Sequence, residues 1–392
     1  MYVGRTVFAQ LMDFVPRHEF RQIVKLHRGE RRVRRFSCWD QLLSMVFAQL
    51  TYRESLRDIE TCLRSLGPKL YHSGMRWTAS RSTLADANEH RSWRIYRDLT
   101  LLLVARAREL YQNEQFLEDL AAAVYALDAT IIELCLKLFP WAKAAHHQTT
   151  VAGVKLHTLL DVQSNIPVFA RVSAANVNER RMLDELLLEP GAFYVLDRGY
   201  MDFARLRKID SAGAFFVIRG KKDLRFLRVA SHPVDKTWGV RVDQTIRLVV
   251  PLSVQGYPDC LRRIKVFDSD KQQSIVFLTN NFLLDALTIA EVYRSRWKIE
   301  LFFKWIKQHL RIKAFYGTSL NAVNTQVWIA LAVFVLVAIV KKELKLDQSL
   351  YTILQILSIT LFEKEPINTV LIDHQGLIQN PDDPNQLKLF DF

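Results

Sequence analysis

Cysteine is scarce. Four occur in 392 residues, at Cys38, Cys62, Cys135 and Cys260, and no two form a C-x-x-C pair. That argues against a zinc site and gives no disulfide framework, so a reducing cytoplasm fits. A G-x-S-x-G turn is absent and no Cys–His pair is evident, which leaves serine and cysteine hydrolases without support. The N-terminus lacks the short apolar core and small-residue cleavage site of a secretory leader. Val327 to Val340 is apolar throughout but has only 14 residues, short of the roughly 20 that span a bilayer. It reads as a buried core helix ending at Lys341 and Lys342, and no membrane partner is expected. There is no internal repeat and no low-complexity tract.

Acidic residues are the other deficit. The chain has 41 Asp and Glu against 54 Lys and Arg, a net charge of +13. Such an excess favours a polyanionic partner, and nucleic acid is the commonest one. The excess is uneven: residues 1–110 hold 20 Lys and Arg against 11 Asp and Glu. It is densest from Arg17 to Arg35. With 49% apolar and 24% charged residues the composition is that of an ordinary globular protein, and the length allows more than one domain.

Residues 1–115 read as helical. Ser55 offers an N-cap, Leu56, Ile59, Leu63 and Leu66 follow at helical spacing, and Gly67-Pro68 ends the helix. A second helix is expected from Ser80 or Ser82 to about Tyr111, with Arg81, Arg91, Arg94 and Arg97 near its start. Two helices joined by a short turn, with cations on the second, suit a helix-turn-helix DNA binder. A helical bundle with a solvated basic face fits the same pattern.

Near Val124 the pattern changes. Val124–Ile132, Val154–Val162 and Ile166–Val172 read as strands, the last two joined by a turn at Gln163-Ser164-Asn165. A helix is expected over Asn178–Leu188, then a strand at Phe193–Leu196, a helix at Phe203–Ile209 and a strand at Phe215–Arg219. That order predicts a mixed α/β sheet matching a ribonuclease-H-like fold. Residues 220–287 are too long for an ordinary connection and hold five strand-like runs: Phe226–Ala230, Trp238–Val242, Thr245–Val250, Arg262–Phe267 and Ser274–Thr279. They are expected to form an inserted β-subdomain. A helix then opens at Thr288, where Thr288 and Glu291 make a capping box, and runs past Lys307. The expected domains are thus 1–115 (helical, DNA-binding), 120–219 with 288–345 (catalytic), 220–287 (inserted), and 346–392 (C-terminal helical segment and tail, the tail loose after Gln379).

Three acids stand out. Asp128 lies mid-strand among apolar residues, a costly place for a carboxylate that binds nothing. Asp197 ends a strand and is followed by Arg198-Gly199-Tyr200, where sites form in such sheets. Tyr293, Arg296, Glu300 and Lys307 follow one another at spacings of 3, 4 and 7, within an arc of about 60° on a continuous helix. A salt-bridged helix face would use the same spacing. Carboxylates converging on one point hold two divalent metals about 3.5–4 Å apart for in-line phosphoryl displacement, and hard oxygen ligands favour Mg²⁺ or Mn²⁺. Arg and Lys beside the acid would grip phosphates.

With these residues in place the sequence resembles the insertion-sequence-four family of bacterial DDE transposases. That family has an Asp on its first strand, an Asp-Arg-Gly-Tyr motif and a Tyr-x2-Arg-x3-Glu-x6-Lys signature. Here these are Asp128, Asp197-Arg198-Gly199-Tyr200, and Tyr293, Arg296, Glu300 and Lys307, with every spacing kept. Gly153 to His157 also looks like the family's second strand. The resemblance covers roughly residues 124–345. It implies a catalytic triad of Asp128, Asp197 and Glu300 carrying two Mg²⁺ or Mn²⁺ ions. Tyr293, Arg296, Lys307, Arg198 and Trp238 would touch DNA, Trp238 by stacking an unpaired base, and the helix-turn-helix reading adds Arg91 and Arg94 as DNA contacts. The resemblance further implies double-stranded DNA as partner (terminal inverted repeats and target), a homodimer in the synaptic complex, and a cytoplasmic, nucleoid-associated bacterial protein. A metal-dependent nuclease or resolvase of the same fold would share the acids without strand transfer. A DNA-binding protein that has lost catalysis would lack one of them, and none is missing.

Overall fold

The computed structural model describes residues 4–372 apart from 32, 68, 76–77, 115–119, 121, 136, 143–150, 222, 238, 269–271 and 310–314. The chain forms two compact units, one of residues 1–110 with 309–392, the other of residues 111–308.

The first unit is helical, built from α1 (Val7–Leu11), α2 (Arg17–Leu26), α3 (Cys38–Leu50), α4 (Leu56–Ser65), α5 (Lys69–His72), α6 (Arg81–His90) and α7 (Arg94–Tyr111). Ser37 starts α3 through a reciprocal capping box with Asp40, and Ser55 starts α4 by accepting from the Asp58 amide. The helix expected from Ser80 to Tyr111 is two helices. Arg91 takes an extended backbone (φ −78°, ψ 137°) while its guanidinium reaches back to the start of α3, donating to the carbonyls of Phe36 and Ser37. That tertiary clasp outweighs the helical propensity of the segment.

The apolar segment is longer than expected. It forms α12 (Leu320–Glu343), and all the residues from Ala322 to Val340 are buried. By length and composition α12 could cross a membrane, but its apolar window is wholly enclosed in the structure. Its backbone accepts from Thr100 at the Trp328 carbonyl (3.0 Å), and Trp328 stacks on Trp93 with centroids 6.4 Å apart. Burying each large aliphatic chain stabilises by about 1.5–3 kcal/mol, so α12 is the core of this unit. The expected division, which grouped residues up to 345 with the sheet, therefore differs from the observed one: α12 packs on α3 and α6. Two further helices, α13 (Leu350–Thr360) and α14 (Ile367–Ile372), follow. The tail after Gln379 lies outside the described residues.

The second unit holds one nine-stranded sheet: β1 (Val124–Cys135), β2 (Val151–Asp161), β3 (Pro167–Ala174), β4 (Phe193–Leu196), β5 (Phe215–Arg219), β6 (Phe226–Ser231), β7 (Val240–Leu248), β8 (Leu261–Asp268) and β9 (Gln273–Thr279). Their spatial order is β3-β2-β1-β4-β5-β9-β8-β7-β6. β1 runs antiparallel to β2 and parallel to β4, and β4 is parallel to β5. β4 and β5 fall where the sequence predicts. The segment 178–188 forms a 3-10 turn, Glu179–Asp184, instead of an α-helix.

The strands of the 220–287 insertion do not stand apart. β9 pairs with β5 and continues the same sheet. The runs expected as two strands at 238–250 are one strand, β7, because Asp243 is buried against Arg262 on β8 (2.7 and 3.0 Å). Arg262 also donates to the Leu284 carbonyl at 2.5 Å. That ties the insertion to the loop before α10 (Ala286–Arg294), the helix that leads to the third acid. A short helix α9 (Pro251–Gly256) joins β7 to β8, and α8 (Phe203–Ser211) joins β4 to β5.

Candidate active site

β1 and β4 set the site by register. Leu127 lies opposite Leu196 on these parallel neighbours, so Asp128 and Asp197 are each the next residue along. Successive side chains alternate between faces, so both carboxylates leave the same face. Asp197 opens the turn Arg198–Tyr200 through its backbone: its carbonyl accepts the Tyr200 amide (3.0 Å), and its side chain makes no capping bond. The carboxylate instead meets the Tyr293 hydroxyl, at a long 3.5 Å.

The third acid comes from a broken helix. Asp285, rather than Thr288, caps α10, accepting from the amides of Leu287 and Thr288. The helix stops at Arg294, and α11 begins at Trp297 and runs to His309. Between them the Arg296 and Ile299 amides donate three residues back, to Tyr293 and Arg296, a tighter winding than an α-helix. Tyr293, Arg296, Glu300 and Lys307 therefore do not lie on one continuous helix. The break turns Arg296 inward. Its guanidinium donates to Asp128 at 2.9 Å and to Glu300 at 2.5 Å. Lys307 donates to the Ile131 carbonyl on β1 at 2.8 Å.

The electrostatics are strained at Asp128. Burial pushes its carboxyl up to about 6, and the charges of Asp197 and Glu179 add to the rise against the Ala129 amide and Arg296. Tyr200 is fully buried, and its hydroxyl has no hydrogen-bond partner among the described residues. Burial and the nearby Asp128, Glu179 and Asp197 keep that phenol protonated. Lys155 on β2 pairs with Glu179 at 3.0 Å. His157, held by Ser173 at 2.9 Å, is pushed down to about 4 by burial and by Lys155, so it is neutral near pH 7.

Among the described residues no three of His, Cys, Asp and Glu approach closely enough to hold a metal ion. The physical reason is visible: a guanidinium lies between Asp128 and Glu300, and Asp197 is linked to a phenol. The donor set still fits a divalent cation. It is all hard carboxylate oxygen, and Asp128 carries a buried charge that its surroundings undercompensate. Arg296 occupies the place such a cation would neutralise.

The other sequence-predicted residues scatter. Arg198 follows Asp197, with its Nε buried and unpartnered among the described residues. Arg94 is exposed, its guanidinium 5.0 Å from the Trp93 ring centroid. Arg91 faces inward as described above. Trp238 lies outside the described residues. Sequence reasoning overlooked Glu179, whose charge reaches both Asp128 and Tyr200. Its position in an expected helix gave no signal, although Lys155, a cation in an apolar strand, was a hint that an acid lay nearby.

The sheet carries two acids on neighbouring strands, Asp128 within β1 and Asp197 just past β4, and a following helix delivers a third, a carboxylate set of the kind that holds divalent metal in phosphoryl-transfer enzymes. Residues 120–336 match the family described as Transposase DDE domain, and residues 3–76 match a domain of unknown function, DUF4372. The Sinorhizobium fredii protein named as transposase y4zB is 32% identical over 73% of this chain and 79% of its own length. A Geobacillus stearothermophilus protein named as a transposase for the insertion sequence element IS5377 is 27% identical over 65% of this chain and 66% of its own. A Synechocystis protein named as a transposase for element IS4SA is 21% identical over 71% and 76%. The chain belongs to the DDE transposase family. Domains of this family depend on divalent metal.

Proposed function

We propose that the protein binds the ends of an insertion sequence, cuts them, and joins the freed 3′-hydroxyls to target DNA, as a member of the insertion-sequence-four group. The observation that carries this reading is the adjacent placement of Asp128 and Asp197 with Glu300 linked to Asp128 through Arg296. The sheet order β3-β2-β1-β4-β5, with β2 and β3 antiparallel and β4 and β5 parallel, supports a ribonuclease-H-like catalytic core.

Asp128, Asp197 and Glu300 are the residues that would hold two Mg²⁺ or Mn²⁺ ions. Those ions would activate the attacking oxygen and stabilise the leaving one. The protein's own groups prepare that site. Tyr293 orients Asp197 through its hydroxyl. Tyr200 presents a buried, protonated phenol within electrostatic reach of Asp128 and Asp197. Arg296 holds Asp128 and Glu300 together in the DNA-free protein and, with Lys307, grips phosphates when DNA arrives. Arg94 and Arg198 add phosphate contacts, whereas Arg91 fixes the loop that Arg94 follows. Two ends need two such sites, so the working complex is a homodimer on paired ends, in the bacterial cytoplasm near the nucleoid.

The test is incubation with DNA carrying the native element ends and Mg²⁺, with cut positions mapped on both strands and joining to a supercoiled target scored. Cuts at the ends followed by joining are expected. Cutting without joining would leave a nuclease of the same fold.

A further inference from the structure

The helical unit contains a cavity of about 930 Å³. Seven of its lining residues are Lys or Arg, and two, Glu30 and Asp40, are acids. One wall is α2, where Arg17, Arg21 and Lys25 fall at spacings of four within an arc of about 80°. The segment leading into α3 supplies Arg28, Arg31 and Arg34. The acids are occupied elsewhere: Glu30 accepts the Cys38 amide (3.2 Å), and Asp40 accepts the Ser37 amide and hydroxyl (2.9 and 2.5 Å). A net positive charge thus faces the cavity, seven cations against two acids, and it lowers stability unless an anion answers it.

Two further features mark a built site. Trp39 and Phe20 line the same cavity, and the Arg17 guanidinium lies 4.7 Å from the Trp39 ring centroid. Arg28 lies two residues past the end of α2 with φ +52°, a conformation that disfavours a non-glycine residue. The Gly29 amide then bonds the Val24 carbonyl at 2.9 Å, closing the helix as a glycine normally would one position earlier. At Gly29 a Cβ would meet Ile95 Cδ1 at 2.4 Å and Cys38 Sγ at 2.9 Å, so a side chain there would displace those neighbours. The long cation of Arg28 stands at the left-handed position.

The geometry points to a sequence-independent binding site for an unpaired DNA strand, its phosphates on the arginines of α2 and the 28–35 segment and a base against Trp39. A sphere of that volume is about 12 Å across, room for a few nucleotides of one strand. Basic walls with an aromatic surface are what single strands require. The inference rests on the protein being a DNA-processing enzyme, and it adds a second strand-binding site within the matched domain of unknown function.

The test uses the full chain and a fluorescently labelled 12-nucleotide strand of mixed sequence, alone or annealed to its complement, with anisotropy followed across a salt series. The triple variant Arg21→Gln/Arg28→Gln/Arg31→Gln is expected to lose at least tenfold in single-strand affinity. Its log–log salt slope should fall by about two, since each phosphate contact on a single strand contributes about 0.7. Trp39→Leu should lower single-strand affinity about tenfold with the slope unchanged. Duplex affinity should change less than threefold in either variant. Melting temperatures report folding; if Trp39→Leu melts early, the triple variant decides. An unchanged salt slope in the triple variant, or an equal loss on strand and duplex, overturns the inference. If the wild-type chain fails to bind DNA bearing the element ends, the transposase reading falls with it; if ends are bound and cut normally while the strand data are flat, only this site falls.

Discussion

The sheet contains two arginine–carboxylate centres, and they are built to opposite ends. Arg262 and Asp243 face each other in two bonds, with side chains 8% and 6% exposed, and Arg262 gives two further bonds to the carbonyls of Asn281 and Leu284. Arg296 is divided between two acids, one bond each, with side chains 17%, 21% and 35% exposed across Arg296, Asp128 and Glu300. Its Nε is buried without a partner among the described residues. The first centre is saturated and dry, a clasp. The second is undersupplied and partly open, as a site must be if its cation is to be exchanged. Residue types alone do not separate them; the number of bonds per charge does.

The largest expected contrast is in activity. Asp128→Asn, Asp197→Asn and Glu300→Gln should each lower nicking and joining by a factor on the order of 10³ or more while element ends remain bound. Gel assays of cleavage and binding read both. Cleavage near the wild-type rate in any one of them would remove that acid from the site.

Next comes stability. Asp243→Ala strands a buried guanidinium and should cost about 3–5 kcal/mol in urea denaturation. The double change Asp243→Leu/Arg262→Met should recover most of that loss, because both charges go together. Loss of the same size on both would mean that the contacts of Arg262 to the Asn281 and Leu284 carbonyls, not the ion pair, hold the insertion.

The contrast also explains what the sequence could show. Strands β4 and β5 were legible because their apolar runs are bounded by Pro190-Gly191, Asp197 and Gly213. The three acids were legible because each sits where a carboxylate is expensive or oddly spaced. What was hidden depends on partners far along the chain. Asp243-Gln244 reads as a turn until Arg262, on the neighbouring strand, buries it. The breaks at Arg91 and at Ser295-Arg296 occur in segments of good helical propensity, and each frees an arginine to reach a distant acceptor. The insertion read as a subdomain because strand-like runs say nothing about which edge they join.

A third, smaller effect concerns pH in metal-free protein. The Asp128 carboxyl sits at about 6 in the folded chain against 3.8 in its ordinary state. A raised acid contributes stability below its unfolded value and loses that contribution as pH climbs through the folded value. Asp128→Asn should therefore be more stable than the wild type above pH 6, by roughly 3 kcal/mol. The advantage should shrink as pH falls from about 6 to 4. Denaturation in chelator across that range measures it, and Mg²⁺ should abolish the difference by stabilising the wild type. A difference flat in pH would mean that Asp128 carries no such strain.

The smallest effect tests whether the open centre extends beyond its acids. Lys307 donates to the Ile131 carbonyl, three residues beyond Asp128 on β1. That bond could be its whole purpose, holding α11 to the strand. A half-buried lysine bonded to a carbonyl contributes about 1 kcal/mol, so Lys307→Ala should shift the denaturation midpoint only slightly. If Lys307 grips a phosphate beside the cut, the same variant should slow cleavage about tenfold, the scale of one charge-assisted contact. Lys307→Arg should restore part of the rate, because the charge returns although the carbonyl bond is remade with different geometry. The two readouts are independent, and their ratio decides. Cleavage that falls only in step with stability would make Lys307 a second clasp like Arg262.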